Sequence, residues 1–173
     1  MKSPSRMAYW LVPSEPYFSE IQNLVNELAE KFDGPKFIPH ITLYSGLFTS
    51  NDSIEKVSEA LKVFRSFSIC CKALEFNNQF KESCFLEFEK HSILSELNAV
   101  IKNQCMEPDS REVSSHMSLF YGALTDSQRI AIRSQVVVPE VVSFSIVYAI
   151  SNDRPVKDRE DIENERVVAK MSL

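Results

Sequence analysis

The chain has 173 residues, with 44% hydrophobic and 25% charged residues and a net charge of −5. That length and balance suit one soluble globular domain with a substantial core. The acidic balance argues against a long nucleic acid held by its phosphates, which calls for a basic face, and it leaves room for a small nucleotide.

In chain order, the opening MKSPSRMAYWLVP has a basic start and a short apolar stretch cut by Pro13. The stretch is too short for a signal peptide, and no run of 18 apolar residues exists to span a membrane. A cytoplasmic protein is therefore expected. Tyr9 to Val12 reads as a strand. From Tyr17 to Phe32, Ile21, Leu24, Val25, Leu28 and Phe32 fall at helical spacing, and Gly34-Pro35 stops the helix as a glycine cap followed by proline. Phe37 to Leu43 reads as a strand. Asp52-x-x-Glu55 is a capping-box pattern that opens a second helix through Phe64. Phe67 to Leu74 and Ser83 to Glu89 read as strands. A third amphipathic helix carries Ile93, Leu94, Leu97, Val100 and Ile101, with His91 at its start as a surface or capping residue.

Gln104 to Ser115 is polar and irregular, and His116 to Phe120 is the next strand. Thr125-x-x-Gln128 is another capping box, for a helix running to about Gln135. Val136 to Val138 is apolar but broken by Pro139. Ser143 to Ile150 is a strong strand, Ser151 to Glu165 a charged loop or lid, and Val167 to Met171 a final strand. Helices and strands do not alternate regularly enough for a doubly wound sheet, so an α+β fold is expected. Cys70, Cys71, Cys84 and Cys105 form no zinc pattern. Reduced thiols are expected, with a Cys84–Cys105 bridge as the alternative.

Two segments of the chain match each other. His40-Ile41-Thr42-Leu43-Tyr44-Ser45-Gly46-Leu47-Phe48-Thr49 aligns with His116-Met117-Ser118-Leu119-Phe120-Tyr121-Gly122-Ala123-Leu124-Thr125. The chain holds only three His and three Gly, and the match uses two of each. In an extended strand residues i and i+2 share a face, so each segment presents an imidazole beside a hydroxyl. Two related halves would bring both pairs around one small anion.

Neither His-x-hydroxyl segment supplies a transition-metal set, because Thr and Ser are poor ligands and no Cys or carboxylate completes the site. A Ser118–His40 acyl-transfer pair would lack an elbow glycine pattern and an evident Asp. Two imidazoles do suit cleavage of a phosphate diester without a metal or other cofactor. One neutral ring takes a proton from water and one imidazolium protonates the departing oxygen. Thr42 and Ser118 would hold the non-bridging oxygens. Trp10 and Phe80 are candidates for stacking on a base, with a core role the favoured reading for Trp10.

The paired H-x-[TS] signatures resemble the 2H phosphoesterase superfamily. Tyr9-Trp10-Leu11-Val12-Pro13, Pro39-His40-Ile41-Thr42-Leu43 and His116-Met117-Ser118-Leu119-Phe120-Tyr121-Gly122 are similar to its cyclic phosphodiesterase branch. The resemblance implies a bilobal α+β fold with two pseudo-symmetric halves, antiparallel sheets and a central cleft, formed by the whole chain as one domain. It implies opening of a ribose cyclic phosphate, either ADP-ribose 1″,2″-cyclic phosphate or a nucleoside 2′,3′-cyclic phosphate. It further implies His116 as base, His40 as acid and Tyr121 at the phosphate. RNA-end processing or ligation, and a nucleotide-binding module without turnover, are the alternatives. The expected partner is a small cyclic nucleotide, taken by a monomer with no membrane or long nucleic acid involved.

Overall fold

A computed structural model of the chain describes residues 6–47, 52–105, 112–152 and 155–173. Seven strands and five helices follow one another along these residues. The strands are β1 (Arg6–Pro13), β2 (Ile41–Leu47), β3 (Phe67–Glu75), β4 (Cys84–Phe88), β5 (His116–Phe120), β6 (Val141–Asn152) and β7 (Arg166–Ser172). The helices are α1 (Tyr17–Phe32), α2 (Asp52–Leu61), α3 (Ser92–Gln104), α4 (Asp126–Gln135) and α5 (Arg159–Glu163). Among the described residues no helix is long and apolar enough to cross a membrane.

All strand pairs are antiparallel, and the sheet runs β2-β1-β6-β3-β4-β5, with β7 beside β6. The long strand β6 serves both halves. Its residues 146–152 lie between β1 and β7, while residues 141–144 pair with β3. One half is thus β2-β1-β6-β7 and the other β5-β4-β3-β6. Each His segment belongs to an outer strand, β2 or β5. The bilobal α+β expectation holds, with the two halves joined through one shared strand. Helix α1 crosses to pack on β5, and α3 packs on β2, so each half covers part of the other. The Asn98 amide of α3 donates to the Leu43 carbonyl of β2 at 2.5 Å.

The apolar periodicity of α1 becomes its buried face of Ile21, Val25, Leu28 and Ala29. Its stop differs from the expected one. Asp33, not Gly34, takes the left-handed conformation (φ 54°), which a short polar side chain tolerates. Gly34 is required for another reason: a Cβ there would stand 2.4 Å from the ring of Phe120. Strand β2 begins at Ile41 rather than at Phe37, leaving His40 on the approach to the strand. Pro39 has no N–H to give a ladder.

The Thr125/Gln128 capping box is formed in full. His91 caps α3, its Nδ1 accepting from the Ile93 N–H at 3.3 Å. The charged segment after β6 is not all loop, because Asp158 and Asp161 form a capping box that starts α5. The Asp52 cap side chain, the Phe48-Thr49 end of the first repeat and much of the irregular stretch before β5 lie outside the described residues. All four thiols are free, and burial pushes Cys84 up to about 12.

Candidate active site

Both His segments line one cleft of ≈ 590 Å³ between the halves. His40, Thr42, His116, Ser118, Tyr121, Trp10 and Phe80 all reach its wall. Each imidazole is tied at Nδ1 by the residue two positions before it. His40 Nδ1 lies 2.6 Å from the Ile38 carbonyl, and His116 Nδ1 lies 2.6 Å from Ser114 Oγ. A carbonyl only accepts, so His40 Nδ1 carries a hydrogen and donates it. Nε2 is then the nitrogen left for chemistry on each ring.

The two settings are unlike. His40 is 8% exposed, and burial together with the charges of His116 and Lys81 holds it down to about 3. The Ile38 bond opposes that shift without reversing it. His116 is lowered by burial, and Glu82, with Oε1 3.8 Å from its Nε2, works upward. Burial thus favours the neutral form of both rings in the unliganded protein.

The hydroxyls differ in the same way. Thr42 is exposed to the cleft. Ser118 is buried, and its Oγ donates to the Lys81 carbonyl at 2.5 Å. Tyr121 hydrogen-bonds to Ser118 and stacks on Phe37 with ring centroids 3.9 Å apart. Its phenol stays neutral, since burial and Glu165 drive its ionisation well above the usual range. Gly122 follows with φ +142°, a conformation that favours glycine and lets the chain turn directly after Tyr121.

Trp10 is 5% exposed and stacks flat on His40, centroids 3.7 Å apart and planes 4° apart. The surrounding cluster of Val12, Ile150, Phe18, Ile38, Ile146 and Tyr148 buries the rest of it. Its core alternative therefore describes it better than base stacking, because no open face is presented. Phe80 is only partly buried and remains at the wall, 6.1 Å from Tyr121.

Among the described residues, six charged ones that the sequence-based reading does not place at the site line the wall: Arg6, Lys81, Glu82, Glu112, Lys157 and Glu165. Lys81 and Glu82 sit in a 3₁₀ turn (Phe80–Glu82), and Glu165 precedes β7. Burial raises Glu165 to about 7 against the opposing pull of Lys81. Single charges in polar stretches carry no pattern that would mark them. Among the described residues no group of three or more His, Cys, Asp or Glu is arranged to hold a metal ion.

Comparison with known proteins points to a family and a fold. A family model described as cyclic phosphodiesterase-like protein matches residues 6–143. A cyclic phosphodiesterase of Arabidopsis thaliana is 23% identical over 121 residues, covering 69% of this chain and 67% of that protein. The fold is shared with E. coli LigT complexed with 3′-AMP, at 14% identity, 98% coverage of both chains and a TM-score of 0.62. Kluyveromyces marxianus Usb1 aligns at 12% identity over 99% of this chain and 98% of its own, with a TM-score of 0.51. By its family match and its paired His-x-hydroxyl segments in one cleft, the chain belongs to the cyclic phosphodiesterase-like family of the 2H phosphoesterase superfamily.

Proposed function

We propose that this protein hydrolyses a ribose cyclic phosphate to a phosphomonoester, using His40 and His116 as general acid and base without a metal ion. The observation that carries the reading is the pair of imidazoles, each tied at Nδ1, with both Nε2 atoms left to one cleft. Tethering at one nitrogen fixes tautomer and ring plane, and so holds the other nitrogen in reach of a reacting oxygen. Thr42 supplies a neutral donor for the non-bridging oxygens, which gain charge as water attacks, and Ser118 and Tyr121 join it when their hydroxyls turn from their present partners toward the phosphate. Phe80 is the ring placed to stack on a base.

The charges of the cleft favour a small substrate. Arg6, Lys81 and Lys157 are matched by Glu82, Glu112 and Glu165. Such a wall offers local donors for one phosphate and, among the described residues, no basic track for a polynucleotide. Solved structures of the same fold hold 3′-AMP, NADP+ and ATP, all of which share a ribose bearing phosphate. ADP-ribose 1″,2″-cyclic phosphate and nucleoside 2′,3′-cyclic phosphates both fit this chemistry.

A substrate panel with excess EDTA tests the proposal. It contains a 2′,3′-cyclic mononucleotide, ADP-ribose 1″,2″-cyclic phosphate and an oligonucleotide ending in a cyclic phosphate. Turnover of at least one of the two small compounds with chelator present is expected. Activity that vanishes with EDTA and returns with zinc or magnesium would refute the metal-independent mechanism. Turnover of the oligonucleotide alone would move the reading to RNA ends.

A further inference from the structure

The fold aims a carboxylate at the reacting end of the cleft. The Asn77 amide donates to Glu82 Oε2 at 3.0 Å, and Glu82 Oε1 faces His116, 3.8 Å from its Nε2. Asn77 is itself held in place. Its Oδ1 accepts from the Gln79 N–H at 2.7 Å, and its carbonyl accepts from Arg129 Nη2 at 3.3 Å. The 3₁₀ turn and the segment before it thus fix where the carboxylate points. His116 Nε2 works within about 3 Å of an oxygen of the reacting phosphate, which puts Glu82 Oε1 within about 7 Å of that oxygen.

The other charges of the cleft are distributed around this one. Lys81 shares the turn with Glu82, Glu165 stands before β7, and Glu112 and Lys157 line the wall from connecting segments. Arg6 is farther off. It pairs with Leu47, while Trp10 pairs with Thr42, and the two β1 positions lie about 13 Å apart along the strand. Burial, Glu165 and then Glu82 oppose loss of the Tyr121 proton, so the charge of Glu82 is felt at Tyr121 as well as at His116. A site built to hold a doubly charged phosphate gathers charged donors around it. Here the hydroxyls of Thr42, Ser118 and Tyr121 are uncharged, and a carboxylate stands beside the imidazole.

We propose that Glu82 is a specificity-determining residue, which admits the singly charged cyclic diester and turns away the doubly charged monoester that the reaction makes. The proposal rests on the cyclic phosphodiesterase reading of the cleft. Hydrolysis joins the oxygen of one water to phosphorus and breaks the bond from phosphorus to one ribose oxygen, which ends with a proton of that water. The phosphoryl group is left with a second acidic hydroxyl, ionised above about pH 6. Substrate thus carries one charge and product two. Repulsion across about 7 Å in a water-rich cleft changes affinity by roughly 3- to 10-fold for each unit of charge. The charge created by the reaction therefore helps to expel the product.

The test compares binding of adenosine 3′-monophosphate with that of adenosine 3′-sulfate, a group of the same shape that keeps a single charge, by calorimetry at about pH 8. There the phosphate is doubly charged, and burial favours the neutral form of both imidazoles. Glu82→Gln keeps an oxygen to accept from Asn77 and removes only the charge. The variant should tighten the phosphate more than the sulfate, by a further factor of roughly 3 to 10. In turnover of adenosine 2′,3′-cyclic phosphate it should lower the inhibition constant of the monophosphate by more than it lowers KM. Equal changes for phosphate and sulfate, or no change in either, overturn the proposal. So does a monophosphate that binds neither protein while the cyclic substrate is turned over. Absence of turnover with a shifted binding ratio strikes the functional reading, whereas turnover with an unshifted ratio strikes the role of Glu82.

Discussion

Replacing the two hydroxyls one at a time separates anchoring of phosphate from anchoring of the fold. Ser118 is buried and doubly engaged, donating to the Lys81 carbonyl at 2.5 Å and bonded to Tyr121. Ser118→Ala strands both partners, and an unsatisfied buried group costs about 1–3 kcal/mol. For a domain of this size a loss of about 2 kcal/mol lowers Tm by about 4–8 °C. Thr42 is exposed to the cleft, so Thr42→Val should stay within about 0.5 kcal/mol of wild type. In catalysis the two should converge. Each loses a hydrogen bond to a charged phosphate, worth about 1.5–3 kcal/mol, or roughly 10- to 150-fold in kcat/KM. Thermal melts and steady-state kinetics on the same two preparations decide the matter. If Ser118→Ala melts early and keeps its kcat/KM, its hydroxyl serves the fold alone. If Thr42→Val also keeps its kcat/KM, neither hydroxyl holds the phosphate.

Gly34→Ala forces a methyl group toward the buried ring of Phe120, 2.4 Å from its nearest atom, and overpacking of this kind costs about 1–3 kcal/mol. Denaturant unfolding should show the loss, and an unchanged midpoint would mean that α1 shifts freely over β5. Glu165 is raised from 4.5 to about 7, so the native state holds a proton that the unfolded chain releases. Its contribution to stability is full below about pH 4.5 and declines as pH rises toward 7. Melting curves of wild type and Glu165→Gln across that window should diverge in favour of the variant as pH rises, and parallel curves would contradict the buried setting of the carboxyl. Thr125→Ala removes a complete capping box from α4 and should cost about 1 kcal/mol, read as a lower denaturation midpoint.

The sequence disclosed the elements that carry their own periodicity or caps. The bounds of α1 follow from its apolar spacing, and α4 from the Thr125/Gln128 box. Helix α5 escaped because five residues show no period, and the capping acids Asp158 and Asp161 are hidden among other acids. The stop of α1 is expected at Gly34 because glycine is the usual left-handed residue, whereas here its missing Cβ makes room for the ring of Phe120, a contact distant in sequence that local reading does not reveal. The site was half legible. The repeat singled out His40, Thr42, His116 and Ser118 from residue rarity and matched spacing. Lys81 and Glu82 share one 3₁₀ turn and Glu165 precedes β7, so these charges meet only in the folded chain. Trp10 stands out in the sequence as a candidate for base stacking or the core, and its contact with His40 depends on the register between β1 and β2.

Turnover of a 2′,3′-cyclic mononucleotide by His40→Ala, His116→Ala and the double variant, all in EDTA, tests the two-imidazole chemistry most directly. Each single change should lower kcat by at least about 10²-fold, the scale of general acid–base catalysis. The double variant should lose much less than the product of the two, because groups that act as a unit are not additive. Near-normal turnover by either single variant, in a protein that melts like wild type, would contradict the account.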